Sequence, residues 1–234
     1  MYTSFMSLEV QGLCVDAGDR RLVHDVSFTV RPGKTTALLG PSGAGKTLTA
    51  LSLLDLLPEG VRVTGGSLRL DGASRAFGPS VRPWRGNPLG MIFQEPRDAL
   101  PPSTPVGRVL TAALHRAGVP TRDARRRAVC WLERVGIPDG ARRYRDPPHR
   151  FSGGELQRVL TALALAQGPR YVLADEPTSN LDVTVQGQIL GLLKRLQAEE
   201  NLGLLLITHD ERVVRALADD EVRMEGGPVK DGEP

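Results

Sequence analysis

The chain has 234 residues, 40% apolar and 24% charged, with a formal net charge of +3; this suits a globular chain with a sizeable core and excludes a disordered or collagen-like one. Basic and acidic residues alternate without a long cationic block, which speaks against nucleic acid as a partner. No run approaches the roughly 18 apolar residues of a membrane span, and the N-terminal Met-Tyr-Thr-Ser-Phe-Met-Ser has neither the basic nor the apolar region of a signal peptide.

In chain order, Leu8 to Leu13 and Val23 to Val30 read as short strands, the second alternating through Val26, Phe28 and Val30. Cys14 and Cys130 lie far apart with no CxxC spacing, so both are expected as buried, reduced thiols in a reducing compartment. Thr35 to Leu39 is a buried-strand candidate; a glycine-rich turn follows, then a helix over 47–57 closed by Pro58-Glu59-Gly60. Ser67 to Leu70, bordered by Gly65-Gly66 and Asp71-Gly72, reads as a hairpin strand, residues 73–88 as loop, and Leu89 to Phe93 as a further strand.

From residue 95 the character changes. Pro-rich turns separate two helices, Val106 to Ala117 and Thr121 to Val135, the latter amphipathic through Ala128, Trp131, Leu132 and Val135. Beyond Phe151, helices over 154–167, 182–198 and 210–217 alternate with strands over 171–175, 203–208 and 220–224. That alternation predicts an α/β fold with a mostly parallel sheet covered on both faces. We read one domain over 1–234 with residues 95–157 as an inserted helical subdomain.

Three segments carry chemistry. Gly40-Pro41-Ser42-Gly43-Ala44-Gly45-Lys46-Thr47 fits G-x-x-x-x-G-K-[ST] between a strand and a helix. Backbone free of side chains can wrap phosphates with N–H groups, Lys46 can neutralise their charge, and Thr47 can ligate Mg²⁺. Only four of the thirty basic residues are Lys, which makes Lys46 conspicuous. The segment predicts binding of a nucleoside triphosphate.

Tyr171-Val-Leu-Ala-Asp175-Glu176-Pro177 is an apolar strand ending in two acids, which puts carboxylates at the sheet edge where doubly wound sheets bind ligands. Asp175 suits a water-mediated hold on Mg²⁺ and Glu176 suits a general base. Ser152-Gly153-Gly154 stands where an apolar helix begins. Taken alone it fits a Ser N-cap before a turn as well as it fits a phosphate site.

Together the glycine loop, the Ser-Gly-Gly segment and Asp175-Glu-Pro-Thr-Ser-Asn-Leu-Asp182 resemble the nucleotide-binding subunit of an ABC transporter, over almost the whole chain. The resemblance implies a P-loop NTPase (RecA-like) α/β fold with an N-terminal antiparallel β subdomain and an inserted α-helical subdomain. It also implies ATP and Mg²⁺ as cofactors and ATP hydrolysis as the activity. Ser152, Gly153 and Gly154 then match the signature motif, which meets the γ-phosphate of ATP held by an opposing subunit. Gln94 matches the glutamine that touches Mg²⁺ or the attacking water, though a Gln after a strand also suits a plain surface position. Asp182 matches the aspartate of the following loop, and alone reads as a helix N-cap. His209 matches the switch histidine, while a His there could also cap the next helix.

Leu57-Pro-Glu-Gly-Val61, Gln94-Glu-Pro-Arg97, Pro148-His-Arg-Phe-Ser152 and Glu155-Leu-Gln-Arg158 are similar to peptide and nickel importer ATPases. The stop at Pro234, short of the extension usual in the peptide type, makes the nickel type the closer match. Such a resemblance implies a peripheral place at the cytoplasmic face of the membrane. The implied partners are two transmembrane permease subunits, a second and distinct ABC ATPase subunit, and an extracytoplasmic solute-binding protein. A soluble non-transport ATPase or a nucleotide-dependent regulatory subunit is the alternative.

Three features depart from the family pattern. No aromatic lies between Phe5 and Phe28 to stack on adenine; Glu155 stands where the general signature has Gln; and Asp98-Ala-Leu-Pro-Pro102 replaces the usual Leu-Asn-Pro.

Overall fold

The computed structural model describes residues 6–225, which form two compact units: residues 6–85 with 203–225, and Gly86–Leu202. In chain order the elements are β1 (Leu8–Ala17), β2 (Arg20–Val30), β3 (Thr35–Leu39), α1 (Lys46–Ser52), β4 (Val61–Leu70), β5 (Ala73–Arg75), β6 (Leu89–Ile92), α2 (Val106–Arg116), α3 (Thr121–Arg134), α4 (Gly140–Arg143), α5 (Gly153–Leu165), β7 (Tyr171–Asp175), α6 (Val183–Glu200), β8 (Gly203–Thr208), α7 (Glu211–Leu217) and β9 (Asp220–Arg223). Short 3-10 turns cover Pro79–Trp84 and Pro148–Arg150.

The first unit holds an antiparallel sheet in the order β2-β1-β4-β5 and a parallel group in which β3 lies between β8 and β9. Along β1 and β2 the buried positions Leu8, Val10, Leu13 and Val15 face Val30, Phe28, Val26 and Val23, so one face of the pair is core. β1 runs to Ala17 and β4 starts at Val61, both longer than the sequence pattern indicates. The reason is a pair of glycines. Gly12, at φ 63°, takes up an irregularity in the ladder, and a Cβ on Gly66 would lie 2.8 Å from both Gly12 O and Leu13 Cα. Gly65-Gly66, read as a strand border, is instead where two backbones press together inside the sheet.

β3 is buried along its whole length. Ala37 and Leu39 pack on Val214 of α7, with Ala218 beside them. At its start, Asp219 accepts a hydrogen bond from Thr35 N at 2.8 Å and pairs with Lys34 at 2.8 Å. α1 stops at Ser52, five residues before the expected end, because Asp55 takes a left-handed conformation at φ 51° and Leu56 N bonds back to Leu51 O. Leu53 and Leu54 stay buried past the last helical residue, so the apolar pattern outlasts the helix.

In the second unit β6 and β7 pair in parallel, from Leu89 opposite Tyr171 to Ile92 opposite Ala174. α5 packs on β6, α2, α3 and α6. The buried faces are Val106, Leu110, Ala113 and Leu114 on α2 and Ala124, Ala128 and Leu132 on α3. Trp131, expected in that stripe, is only half-buried and carries the Arg134 guanidinium 4.7 Å from its ring. Both cysteines are free thiols; Cys14 is half-buried and Cys130 is exposed, off the α3 stripe, against the expectation that both would be buried. Among the described residues no helix is long and apolar enough to cross a membrane.

The start of α2 lacks a capping side chain, and residues after α4 serve in its place. Val106 N donates to Asp146 O at 3.0 Å and Gly107 N to Tyr144 O at 3.1 Å, which satisfies two otherwise open N–H groups. The Tyr144 ring lies against Gly107, where a Cβ would sit 2.1 Å from its Cδ2, and its hydroxyl meets Thr111 Oγ1 at 2.9 Å. Gly107→Ala therefore overpacks this contact and lowers stability by about 1–3 kcal/mol, read as a drop in the urea midpoint at unchanged slope.

Candidate functional site

In the first unit the register of β3 and β8 sets the site. Leu39 pairs with Thr208, so Gly40 and His209 leave the sheet as neighbours at the carboxyl ends of parallel strands. The loop 40–47 is pressed against the rest of the unit at two glycines. A Cβ on Gly40 would sit 2.5 Å from Met224 O, and one on Gly45 would sit 2.7 Å from both Leu22 O and Val23 Cγ2, with Gly45 at φ 88°. Gly43 has open space and needs glycine only for its φ of 83°. Lys46 is buried, and its ammonium donates to Gly40 O at 2.8 Å and Pro41 O at 2.9 Å, folded over its own loop. Ser42 and Thr47 are exposed, and Ala44 is buried beneath them.

His209 is exposed and does not cap the next helix; Asp210 does. Asp210 accepts from Arg212 N at 2.8 Å, and its own N–H donates to Thr208 Oγ1 at 3.0 Å. The Arg212 guanidinium, held in a fork, draws the Asp210 carboxyl down to about 2. His209 thus stands on backbone fixed between a buried strand and a capped turn.

The second unit repeats this logic. Ile92 pairs with Ala174, so Gln94 and Glu176 each lie two residues past a paired position. Their side chains meet, Gln94 Nε2 donating to Glu176 Oε2 at 3.4 Å. Asp175 is buried at the strand end. Glu176 takes φ 42°, a conformation costing a non-glycine residue about 1 kcal/mol, and its carbonyl accepts from Ser179 N at 3.1 Å and Ser179 Oγ at 3.0 Å. Four residues on, Asn180 at φ 62° donates to Glu95 Oε1 at 3.0 Å, a second link between the same two segments. Sequence reasoning missed Asn180 and Glu95; the tolerance of Asn for left-handed backbone was the one available signal.

Strand-edge loops carrying this chemistry have known counterparts. A family model described as ABC transporter matches residues 23–179. The chain belongs to the ABC transporter family. It is an ATP-binding ABC-type ATPase. A protein of Brucella abortus (strain 2308) named as a peptide import ATP-binding protein is 43% identical over 233 residues, covering 96% of this chain and 70% of that one. The ABC transporter ATP-binding protein YejF of Escherichia coli (strain K12), itself uncharacterized, is 46% identical over 213 residues, 89% of this chain and 40% of its own length. Among solved structures, cbiO1 of Clostridium perfringens, part of the ABC transporter complex cbiONQ, superposes with TM-score 0.81 at 25% identity, over 94% of this chain and 85% of that one. A dimeric post-hydrolysis state of the ATP-binding cassette MJ0796, bound to ADP and Pi, gives TM-score 0.79 at 25% identity over 97% of both chains.

In this ABC ATPase the segment Ser152-Gly153-Gly154 is a built helix start. Ser152 Oγ accepts from Glu155 N at 3.3 Å and Glu155 Oε2 accepts from Ser152 N at 2.8 Å, a reciprocal capping box opening α5. The two glycines are bare for different reasons. A Cβ on Gly153 would make only ordinary contact, 3.6 Å from Leu181 Cδ2, whereas one on Gly154 would lie 2.5 Å from Val185 Cγ1. Gly154 is therefore demanded by the packing of α5 on α6, a reason the sequence did not disclose. Asp182 caps α6, its Oδ1 accepting from Val185 N at 3.0 Å, so the N-cap reading of that residue is what the fold uses. In the first unit Thr47 offers a hydroxyl oxygen, and in the second Gln94 and Asp175 offer amide and carboxylate oxygen; each is a hard donor of the type that suits Mg²⁺. Gly154→Ala strains the α5–α6 contact and costs about 1–3 kcal/mol in urea unfolding; adding Val185→Ala recovers most of the loss.

Proposed function

We propose that this ABC ATPase binds Mg-ATP, pairs head to tail with a second, distinct ATPase subunit, and drives an importer from the cytoplasmic face of the membrane. The partners are two permease subunits and an extracytoplasmic solute-binding protein. The peptide class is preferred to nickel because the Brucella abortus relative, at 43% identity over 96% of this chain, is named for peptide import. The same name, with the family match, favours the importer over a soluble non-transport ATPase or a regulatory subunit. Residues 1–234 act as one ATPase domain, with 95–157 its helical subdomain carrying the signature.

The observation that carries the catalytic reading is the contact of Gln94 with Glu176 beyond two register-matched strands. The N–H groups of Gly40, Pro41's successors Ser42 to Gly45, and Lys46 cradle the β- and γ-phosphates, and the Lys46 ammonium offsets their charge. Thr47, Gln94 and Asp175 would hold Mg²⁺, which when bound would neutralise charge on the phosphate oxygens. Glu176 accepts a proton from water as the water oxygen bonds to the γ-phosphorus and the bond to ADP breaks. Gln94 orients the Glu176 carboxylate, and His209 donates to a γ-phosphate oxygen. Ser152, Gly153 and Gly154 meet the nucleotide of the opposing subunit, with Asp182 at the same seam.

Glu176→Gln keeps the hydrogen-bonding shape and removes the base. With a suitable companion subunit, turnover falls about 100-fold or more while ATP-dependent pairing, read by size-exclusion chromatography, persists; unchanged turnover removes Glu176 from this role. Coexpressed with its permease subunits, the chain co-purifies with the membrane fraction, and recovery only in the soluble fraction refutes the transport assignment.

A further inference from the structure

Glu155 is a departure that brings a carboxylate to a segment proposed to meet a polyphosphate. A Gln there could cap the helix without charge, so the Glu needs a compensating group. The structure supplies one from α4, twelve residues upstream. Arg143 Nη1 donates to Glu155 Oε1 at 3.0 Å. Its side chain is only 12% exposed and has further neighbours: Nη2 donates to Arg150 O at 3.4 Å, Nε forms an ion pair with Asp146 Oδ2 at 3.2 Å without hydrogen-bond geometry, and the guanidinium lies 4.0 Å from the Phe151 ring centroid. One buried cation therefore grips Arg150, Phe151 and Glu155, on both sides of Ser152.

The opposite oxygen of Glu155 completes a relay, since Oε2 accepts the Ser152 N–H at 2.8 Å. Asp146 keeps Arg143 in place and is shared with Arg142 at 3.9 Å and Arg150 at 3.4 Å. Burial pushes the Glu155 carboxyl up, but the Ser152 N–H and Arg143 outweigh it and hold it below its ordinary value, so the group stays charged. An ionised carboxylate near a nucleotide's phosphates repels them unless its charge is offset.

We propose that Arg143 is a positioning residue for the signature segment: it neutralises Glu155 and, through Glu155, holds the Ser152 cap in the geometry that the opposing subunit's nucleotide meets. This rests on the proposed role of Ser152-Gly153-Gly154. Arg143 and Glu155 then form a compensating pair, the Arg being required because position 155 is acidic.

The test is a double-mutant cycle with the companion subunit present. Arg143→Met lowers kcat/KM for ATP about tenfold or more, and Arg143→Met with Glu155→Gln recovers to within about threefold of Glu155→Gln alone. Binding of a fluorescent ATP analogue to the isolated chain, which reports its own phosphate loop, stays within about twofold in Arg143→Met. Turnover at the wild-type level in Arg143→Met, or a loss that Glu155→Gln does not rescue, overturns the proposal; the second result assigns Arg143 to packing on Phe151. Amide hydrogen exchange at Ser152 decides the clamp without nucleotide: Arg143→Lys, which keeps charge but loses the fork and serves if the Met variant fails to fold, is expected to exchange faster there than wild type, and equal rates overturn the clamp. Should the wild-type pair turn over no ATP, the functional reading falls while this exchange measurement still judges the clamp.

Discussion

Parallel strands that end in register are the constraint on which the site depends. In the first unit Leu39 and Thr208 are partners, and in the second Ile92 and Ala174 are. A buried strand has every backbone group satisfied by its neighbours, so chemistry is confined to the first residues past the last pair. Those residues are Gly40 beside His209 and Gln94 beside Glu176. Equal offsets from a shared pair bring two side chains to one place without any contact between them having to specify it.

Once the strands have placed the segments, small residues and left-handed backbone shape them. Gly40 and Gly45 let the loop lie against Met224, Leu22 and Val23. Glu176 and Asn180 take positive φ without being glycine, and both are tied down, one through its carbonyl to Ser179 and one through its amide to Glu95. Strain of this kind persists only where surrounding bonds over-determine it. Both residues lie in the segment between β7 and α6, which runs from the end of the Asp175 strand to the Asp182 cap.

Most of the parallel framework was legible because its strands are short, wholly buried apolar runs: Thr35–Leu39, Tyr171–Asp175 and Gly203–Thr208 fall where the pattern puts them. The antiparallel sheet was harder. Gly65-Gly66 looks like a strand border, and only the approach of two backbones explains glycine inside a ladder. α1 was overestimated because Leu53 and Leu54 keep an apolar spacing after the helix has ended. α4 went unseen, being a single turn of Gly-Ala-Arg-Arg with no periodicity to read. For the candidate site, residue types at fixed spacing nominate Lys46, Glu176 and His209, whereas the contacts of Asn180, Glu95 and Arg143 depend on pairings that spacing does not encode.

The capping box at Ser152 shows how one local device can serve two ends. A helix start leaves open N–H groups, and a Ser with a Glu three residues later satisfies two of them whether or not a ligand is near. Stability alone would accept that box anywhere, and it places no demand on Arg143. A guanidinium buried against Phe151, with hydrogen bonds to both sides of the turn, costs desolvation that an exposed cap does not require. Its presence is explained if the charge of Glu155 must be cancelled where further negative charge approaches. The same reasoning separates the glycines beside it: Gly154 answers to Val185 and would be needed in a protein that bound nothing, while Gly153, with only ordinary contact awaiting a Cβ, is left bare by no packing demand. A bare backbone there fits the proposed role, in which a phosphate of the opposing nucleotide would need close access.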